Sequence, residues 1–310
     1  MIIDSHVHWV IQKWLGERFW QAWVWLSSRL SGRDEERIKR RLPDLWDPGG
    51  GKLLSEMGEA GIDLSIIFPM DFGLAANVGE APVSISEVNK AYADLSAKHP
   101  DKLVALAGID PRRKEAPFLV EQAIKDWKMR GLKLHPGTGF YPCDPGAYPL
   151  YETVEKFGLP VIVHTGPAMH PLYSQYAQPV YVDKVAADFP RVNFIMAHMG
   201  YGWYPEAISL AANKPNIYLD LSGWQREFHN SPGAFYSALR HALNTVGKGR
   251  VLFGSDWPFF KLLMNQKRWV ETVKNIQISG GEAGFAFSED EIRAILGENA
   301  KTLFQLGCNG

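Results

Sequence analysis

Cysteine is scarce: there are two in 310 residues, Cys143 and Cys308, far apart and in no CxxC pair. That excludes a disulfide framework and a zinc finger, and it fits two ordinary thiols in a cytoplasmic protein. An excess of charge is also lacking. Lys+Arg number 33 against Asp+Glu 34, and the one basic cluster, 37–41, is short, so the footprint of a nucleic-acid-binding protein is missing. No apolar run reaches the roughly 18 residues of a membrane span. The closest stretch, 14–30, is interrupted by Glu17, Arg18 and Gln21 and reads as an amphipathic helix or helix pair. No basic segment followed by an apolar one opens the chain, so a signal peptide is not expected. No GxGxxG follows the first strand, which removes the main reason to expect a dinucleotide-binding fold.

What is present is a regular alternation. Short β-branched apolar runs at 2–4, 64–68, 103–109, 131–134, 159–163, 192–197, 217–221 and 250–254 read as strands. Helical patterns fall between and after them at 53–60, 85–98, 117–129, 151–157, 182–189, 206–213, 234–246 and 269–278. Strand–helix alternation implies a parallel sheet, and eight units in a chain of this length predict a closed (β/α)8 TIM barrel. No linker or internal repeat divides the sequence, so 1–310 is expected to be one domain. A last helix opens with the capping box Ser288-Glu289-Asp290-Glu291, and its apolar residues Ile292, Ile295, Leu296, Leu303 and Phe304 are expected to close the bottom or side of the barrel.

Residues 9–51 exceed what a minimal barrel needs between its first strand and first helix. They hold six of the 11 tryptophans: Trp9, Trp14, Trp20, Trp23, Trp25 and Trp46. Loops that follow barrel strands build the active site, so this helical insertion reads both as a packing unit and as a lid.

The nine histidines carry the chemistry. His6 and His8 end strand one, His135 strand four, His164 strand five and His198 strand six; Asp220 lies in strand seven and Asp256 follows strand eight. The C-terminal ends of barrel strands meet at one face, so these residues converge. In a strand, i and i+2 share a side, which turns both imidazoles of His6-Val7-His8 inward. Imidazole with a carboxylate suits zinc and similar divalent ions, and the recurrence of such groups at successive strand ends predicts a metal site. His99 and His241 fall in helices and read as surface or packing residues, while His170 and His229 sit further along loops.

The runs Ile3-Asp4-Ser5-His6-Val7-His8, Leu159-Pro160-Val161-Ile162-Val163-His164, Ala197-His198-Met199-Gly200 and Leu252-Phe253-Gly254-Ser255-Asp256-Trp257-Pro258 together resemble the amidohydrolase superfamily. The branch most similar is the amidohydrolase-related group of aminocarboxymuconate-semialdehyde decarboxylase-like enzymes. The resemblance spans the chain and is specific for the superfamily, not for one reaction. It implies one divalent metal, zinc or else manganese, held by His6, His8, His164 and Asp256. It also implies an acid–base or polarising role for His198, with Asp256 sharing in catalysis as proton acceptor.

Lys133 and His135 share a face of strand four. In other branches a lysine there is carbamylated and bridges two metals, but a single metal and an unmodified Lys133 that meets substrate are expected here. Aromatic residues after the later strands, Trp203, Trp224 and Trp257 among them, suggest an apolar or planar substrate. Arg112, Arg113 and Arg226 all follow strands and are candidates to grip a carboxylate. The leading expectation is hydrolysis of an amide, lactone or related bond in a small molecule. The alternative is non-oxidative decarboxylation of an unsaturated or aromatic acid. A nuclease is disfavoured by the neutral charge, and a non-catalytic binding barrel by the presence of a proton-transfer group. Neither nucleic acid nor membrane is an expected partner; a homo-oligomer stays open.

Overall fold

The computed structural model describes residues 1–307, so Cys308 lies outside the described residues. Eight parallel strand positions form the barrel. They are β1 (Ile3–Val7), β2 (Leu64–Ile67), β3, β4 (Leu132–Leu134), β5 (Val161–Val163), β6 (Phe194–Met196), β7 (Ile217–Asp220) and β8 (Val251–Leu252). The single strand expected at 103–109 is broken: β3 runs as Leu103–Ala105, pairs with β2, and resumes as Ala107–Gly108 to pair with β4. At the break, Leu106 donates its N–H to Ile67 at 2.9 Å. The other seam joins β1 to β8. There Ser5 N donates to Phe253 O at 2.9 Å, Asp256 N to His6 O at 2.9 Å, and Val7 bridges Trp257.

Side-chain parity explains both layers of the core. Ile66, Phe68, Ile162, Ile195 and Leu252 point inward and fill the barrel. Their alternates, such as Ile67, Val161, Val163, Phe194 and Val251, join the outer core. Strands buried on both faces read as continuous apolar runs, which is why they were visible in the sequence.

The outer helices are α3 (Gly51–Ala60), α4 (Ile85–Lys98), α5 (Ala116–Lys125), α6 (Tyr148–Lys156), α7 (Val180–Asp188), α8 (Tyr204–Asn213), α10 (Pro232–Val246) and α11 (Gln266–Lys274). A short α9 (Gln225–Asn230) lies in the β7 loop, and the helix expected to continue to 278 stops at Asn275 before α12 (Ile276–Glu282). The C-terminal segment has its capping box: Glu291 N donates to Ser288 Oγ at 3.2 Å, and Ser288 N donates to the Glu291 carboxylate at 2.8 Å. Instead of one helix it forms α13 (Glu289–Arg293), a π turn over Ala294–Glu298, and α14 (Asn299–Leu303). The π turn lets Ile295 O accept from Phe253 N at 2.9 Å, while Ala300, Leu303 and Phe304 pack with Ile3 beneath the inner core.

The insertion folds as α1 (Glu17–Ser31) and α2 (Glu35–Arg41). Gly32 (φ 65) ends α1 in the left-handed conformation that glycine adopts without a Cβ penalty, and Asp34 caps α2 by accepting from Arg37 N at 2.8 Å. Trp20, Trp23, Ile38 and Leu45 form a separate apolar cluster with Phe72 and Leu172 of two neighbouring loops. Trp9 and Trp14 instead pack edge-to-face on each other and against Tyr92 of α4, and Trp25 is exposed. No helix among the described residues is long and apolar enough to cross a membrane.

Candidate functional site

The inward parity of the strands continues past their C-terminal ends and delivers most of the site. His6 and His8 flank the outward Val7; Lys133 and His135 continue β4, His164 continues β5, and Asp220 ends β7. His198 does not follow this rule. Ile195 and Ala197 face inward, so an extended chain would turn His198 outward. His198 and Met199 instead adopt φ of 59° and 47°, a left-handed turn that brings the imidazole into the mouth. Such backbone is costly for a non-glycine residue and clusters at functional sites. The His198 N–H donating to Asp220 Oδ1 at 2.9 Å helps to hold it. Asp256 is likewise left-handed, at φ 54°.

The hydrogen bonds fix which ring nitrogens are free. His6 Nδ1 donates to Asp220 Oδ2 at 2.9 Å, and His8 Nδ1 donates to Phe68 O at 3.1 Å. Both acceptors lack protons, so the Nε2 lone pairs remain available. They point toward Asp256 Oδ1, at 3.7 Å from His6 and 3.3 Å from His8. His198 Nδ1 donates to Ser222 O at 3.0 Å, so with His198 neutral its Nε2 accepts from His164 Nδ1, also at 3.0 Å. That leaves His164 Nε2 unprotonated; it is buried and has no hydrogen-bond partner.

Three imidazoles with free Nε2 atoms and a carboxylate fit a divalent ion, whose bonds to such ligands are about 2.0–2.2 Å. The donor atoms of His6, His8 and Asp256 already lie within 4.8 Å of one another, and so do those of His6, His198 and Asp220. His164 belongs to neither group in this arrangement. Asp220, which the sequence places at this face without a stated role, and Ser222, which it does not single out, are the partners. Ser222 Oγ sits 3.0 Å from His6 Nδ1 and 2.9 Å from His198 Nδ1. A hydroxyl two residues beyond an aspartate carries no sequence signal of its own.

Burial sets the protonation states. It pushes His6 down to about 3, with the Lys133 charge adding to the effect, and it lowers His8, His135 and His164 as well. Burial works against the charge of Asp220 and Asp256. The N–H that His6 Nδ1 donates outweighs it at Asp220 and holds that carboxyl below the usual range. Lys133 is brought down to about 8 by burial, opposed by Asp220 and Asp256. Its Nζ lies 3.4 Å from His6 Nε2 and 4.8 Å above the Phe68 ring.

A cavity of about 320 Å³ opens above this cluster. His8, Lys133, His135, His164, His198 and Asp256 line its floor. His135 stacks on His164 with ring centroids 3.9 Å apart. Phe72, Phe259 and Phe260 form walls, and α1 contributes Phe19, Trp23, Leu26 and Leu30.

Three tryptophans expected at the substrate lie outside this lining. Trp257 turns its indole away to donate to Glu56 at 2.9 Å. Trp224 is buried behind the site, donating to His198 O at 2.7 Å, and Trp203 is half-buried at the start of α8. Of the candidate arginines, Arg112 is committed to Asp110 and Arg113 to Asp71 and Glu80. Arg226 does line the cavity, over the Tyr201 ring, with no ion-pair partner among the described residues.

The model of the amidohydrolase family matches residues 3–306. The chain belongs to that family. It is 22% identical to the 2-amino-3-carboxymuconate-6-semialdehyde decarboxylase of Dictyostelium discoideum, over 91% of this chain and 90% of that one. It is 27% identical to Protein fluG of Emericella nidulans over 152 residues, 47% of this chain but 17% of that protein. Among solved structures, the 5-carboxyvanillate decarboxylase of Sphingomonas paucimobilis superposes with a TM-score of 0.70 at 18% identity, covering 98% of each chain. A dihydroxybenzoic acid decarboxylase from Polaromonas, solved with manganese and 2-nitroresorcinol, gives 0.69 at 19% identity, with 98% of this chain and 97% of that one covered. These likenesses show the TIM-barrel fold.

Proposed function

We propose that this member of the amidohydrolase family catalyses the metal-dependent, non-oxidative decarboxylation of an aromatic or unsaturated acid. The observation that carries the proposal is the division of the cavity into a polar, histidine-rich floor and largely apolar walls. The decarboxylases among its similar proteins favour the same reading. Hydrolysis, the leading expectation from the sequence, has less support, because the similar proteins whose names state a reaction are mostly decarboxylases.

His6, His8, His164 and Asp256 are the residues to hold the ion. Zinc and manganese both suit this donor set, and either would supply Lewis acidity and an anchor for substrate oxygens. The walls exclude water from the substrate carboxylate, which loses its charge as carbon dioxide departs; a dry site favours that step. The buried Lys133 offsets negative charge at the floor. Arg226 stands on the wall as a planar donor for a substrate oxygen. The electrons of the broken C–C bond stay on carbon, and His198, once its Nε2 parts from His164 and takes a proton from solvent, passes that proton to the carbon that loses the carboxylate. In sum, R–COO⁻ and a solvent proton give R–H and carbon dioxide.

The test is turnover of carboxylated phenols and unsaturated acids by metal-loaded protein in deuterium oxide. Carbon dioxide release with one deuterium at the former carboxyl carbon is expected. Oxygen-18 from labelled water entering a product carboxyl, with no carbon dioxide, would overturn the proposal in favour of hydrolysis.

A further inference from the structure

The cavity does not end where a small polar acid would. Its upper wall is one face of α1, where Phe19, Trp23, Leu26 and Leu30 follow one another at spacings of 4, 3 and 4 and line the cavity beside Ser27 and Ser31, the Ser31 hydroxyl being spent on Ser27 O at 2.6 Å. That spacing places the four on one stripe of a helix. Facing them are Leu262 and Leu263 from the β8 loop and Met169 and Leu172 from the β5 loop. Arg226 is the one charged side chain of the lining outside the floor cluster.

Were the stripe mere packing for the insertion, its whole length would be sealed like Phe19 and Trp23, which are 3% and 4% exposed. Leu26 and Leu30 are instead half-buried, so the stripe runs from sealed core to open cavity wall. A cavity of about 320 Å³ falls at the lower end of the ~300–1,000 Å³ range of small-ligand sites. An acid whose polar groups all sit at the floor would leave this apolar surface in contact with water and gain nothing from it.

We propose that the substrate carries a hydrocarbon substituent, remote from its acidic end, and that Trp23, Leu26 and Leu30 select for its length. The identity of the acidic end rests on the decarboxylase reading; the substituent rests on the α1 stripe. Each methylene buried along the stripe strengthens binding about fourfold, the equivalent of about 0.8 kcal/mol per buried CH₂. The stripe is thus a determinant of specificity. It touches substrate and takes no part in proton transfer.

The experiment is calorimetric binding of 4-alkylresorcinols, from methyl to hexyl, to the metal-loaded protein, without turnover. Affinity is expected to rise about fourfold per methylene over at least three methylenes. In Leu26→Ser and Leu30→Ser the gradient should flatten while unsubstituted resorcinol binds within about twofold of wild type. Leu30→Trp, which fills the wall instead of making it polar, should cut the gradient off at a shorter chain and serves if the serine variants fail to fold. A flat series in the wild type, an unchanged gradient in folded variants, or no binding by any member overturns the inference. Carbon dioxide release from the matching 4-alkyl-carboxyresorcinol is measured separately. A chain-length gradient without that release upholds the substituent and overturns the decarboxylase reading instead.

Discussion

Asp220 and His6 form a buried pair, Oδ2 to Nδ1 at 2.9 Å, and the other oxygen of the same carboxylate accepts the backbone N–H of His198 at 2.9 Å. One side chain thus orients a candidate ligand and holds the left-handed turn that aims His198, the proposed acid–base group. Asp220→Asn removes the charge and can present an N–H to a ring nitrogen that needs an acceptor. Metal affinity is expected to fall roughly 10–100-fold, the usual loss when an outer partner of a ligating histidine is changed. Competition titration with a chelating dye reads this directly; an unchanged affinity would show that Asp220 acts on His198 alone.

Metal content tests the ligand set itself. Protein made with zinc or manganese supplied should carry about one equivalent per chain, and His8→Ala should lose metal and activity together. His241, exposed on α10, gives the matched control, and His241→Ala should change neither. His198→Asn should keep the metal and lose most of the rate. Elemental analysis beside a turnover assay decides each case.

Lys133 is expected to stay an unmodified amine. Its Nζ is confined between His6 and the Phe68 ring, a position occupied on one side by an apolar face. Intact mass under native conditions should show no added carboxyl group, and metal content should not approach two. Either result to the contrary would place a bridging carbamate at this lysine.

Gly254 is the tightest point beneath the site. A Cβ there would meet His6 Cβ at 2.9 Å and Ser222 Cβ at 3.1 Å, both anchored by the Asp220 network. Gly254→Ala should therefore cost about 1–3 kcal/mol of stability as an overpacked site and weaken metal binding as well. Gly249→Ala, where a Cβ meets nothing within 4 Å, is the comparison. Thermal melts with and without metal separate the two effects.

Arg226 and Arg113 should differ in kind. Arg226→Ala removes a donor facing the cavity and is expected to raise KM about 10–100-fold, the value of a lost charge-assisted hydrogen bond, with little change in melting temperature. Arg113→Ala breaks the contacts to Asp71 and Glu80 and should lower stability while sparing KM. Steady-state kinetics with melting curves distinguishes them.

The barrel was legible because doubly buried strands write unbroken apolar runs, and the histidines were legible because every strand ends at the same face. His6, His8 and His164 even had the parity that points them inward. His198 was found by its place at a strand end, yet extended parity alone would have turned it away; its left-handed backbone has no signature in the sequence. The three arginines looked equivalent because each follows a strand. Only folding reveals that Asp110, Asp71 and Glu80 claim two of them. Trp257 belongs to a motif and still spends its indole on Glu56, since motif membership says where the backbone passes and nothing about which way a ring turns. The π turn at 294–298 and the break at Leu106 arise from tertiary hydrogen bonds, which periodicity cannot register.

The seam between β1 and β8 has a consequence for how the molecule is made. His6 and His8 emerge some 250 residues before Asp256, and Ser5, His6 and Val7 are then zipped to Phe253, Asp256 and Trp257. A contact between such distant positions forms late and slowly, because closing so large a loop is entropically unfavourable. An ion held by His6, His8 and Asp256 would grip both sides of that seam, as a clasp closes a hoop. Stripping it should loosen the two edges before the interior melts, and amide exchange at Ser5, His8 and Asp256 should quicken ahead of exchange at Ile162 or Ile195.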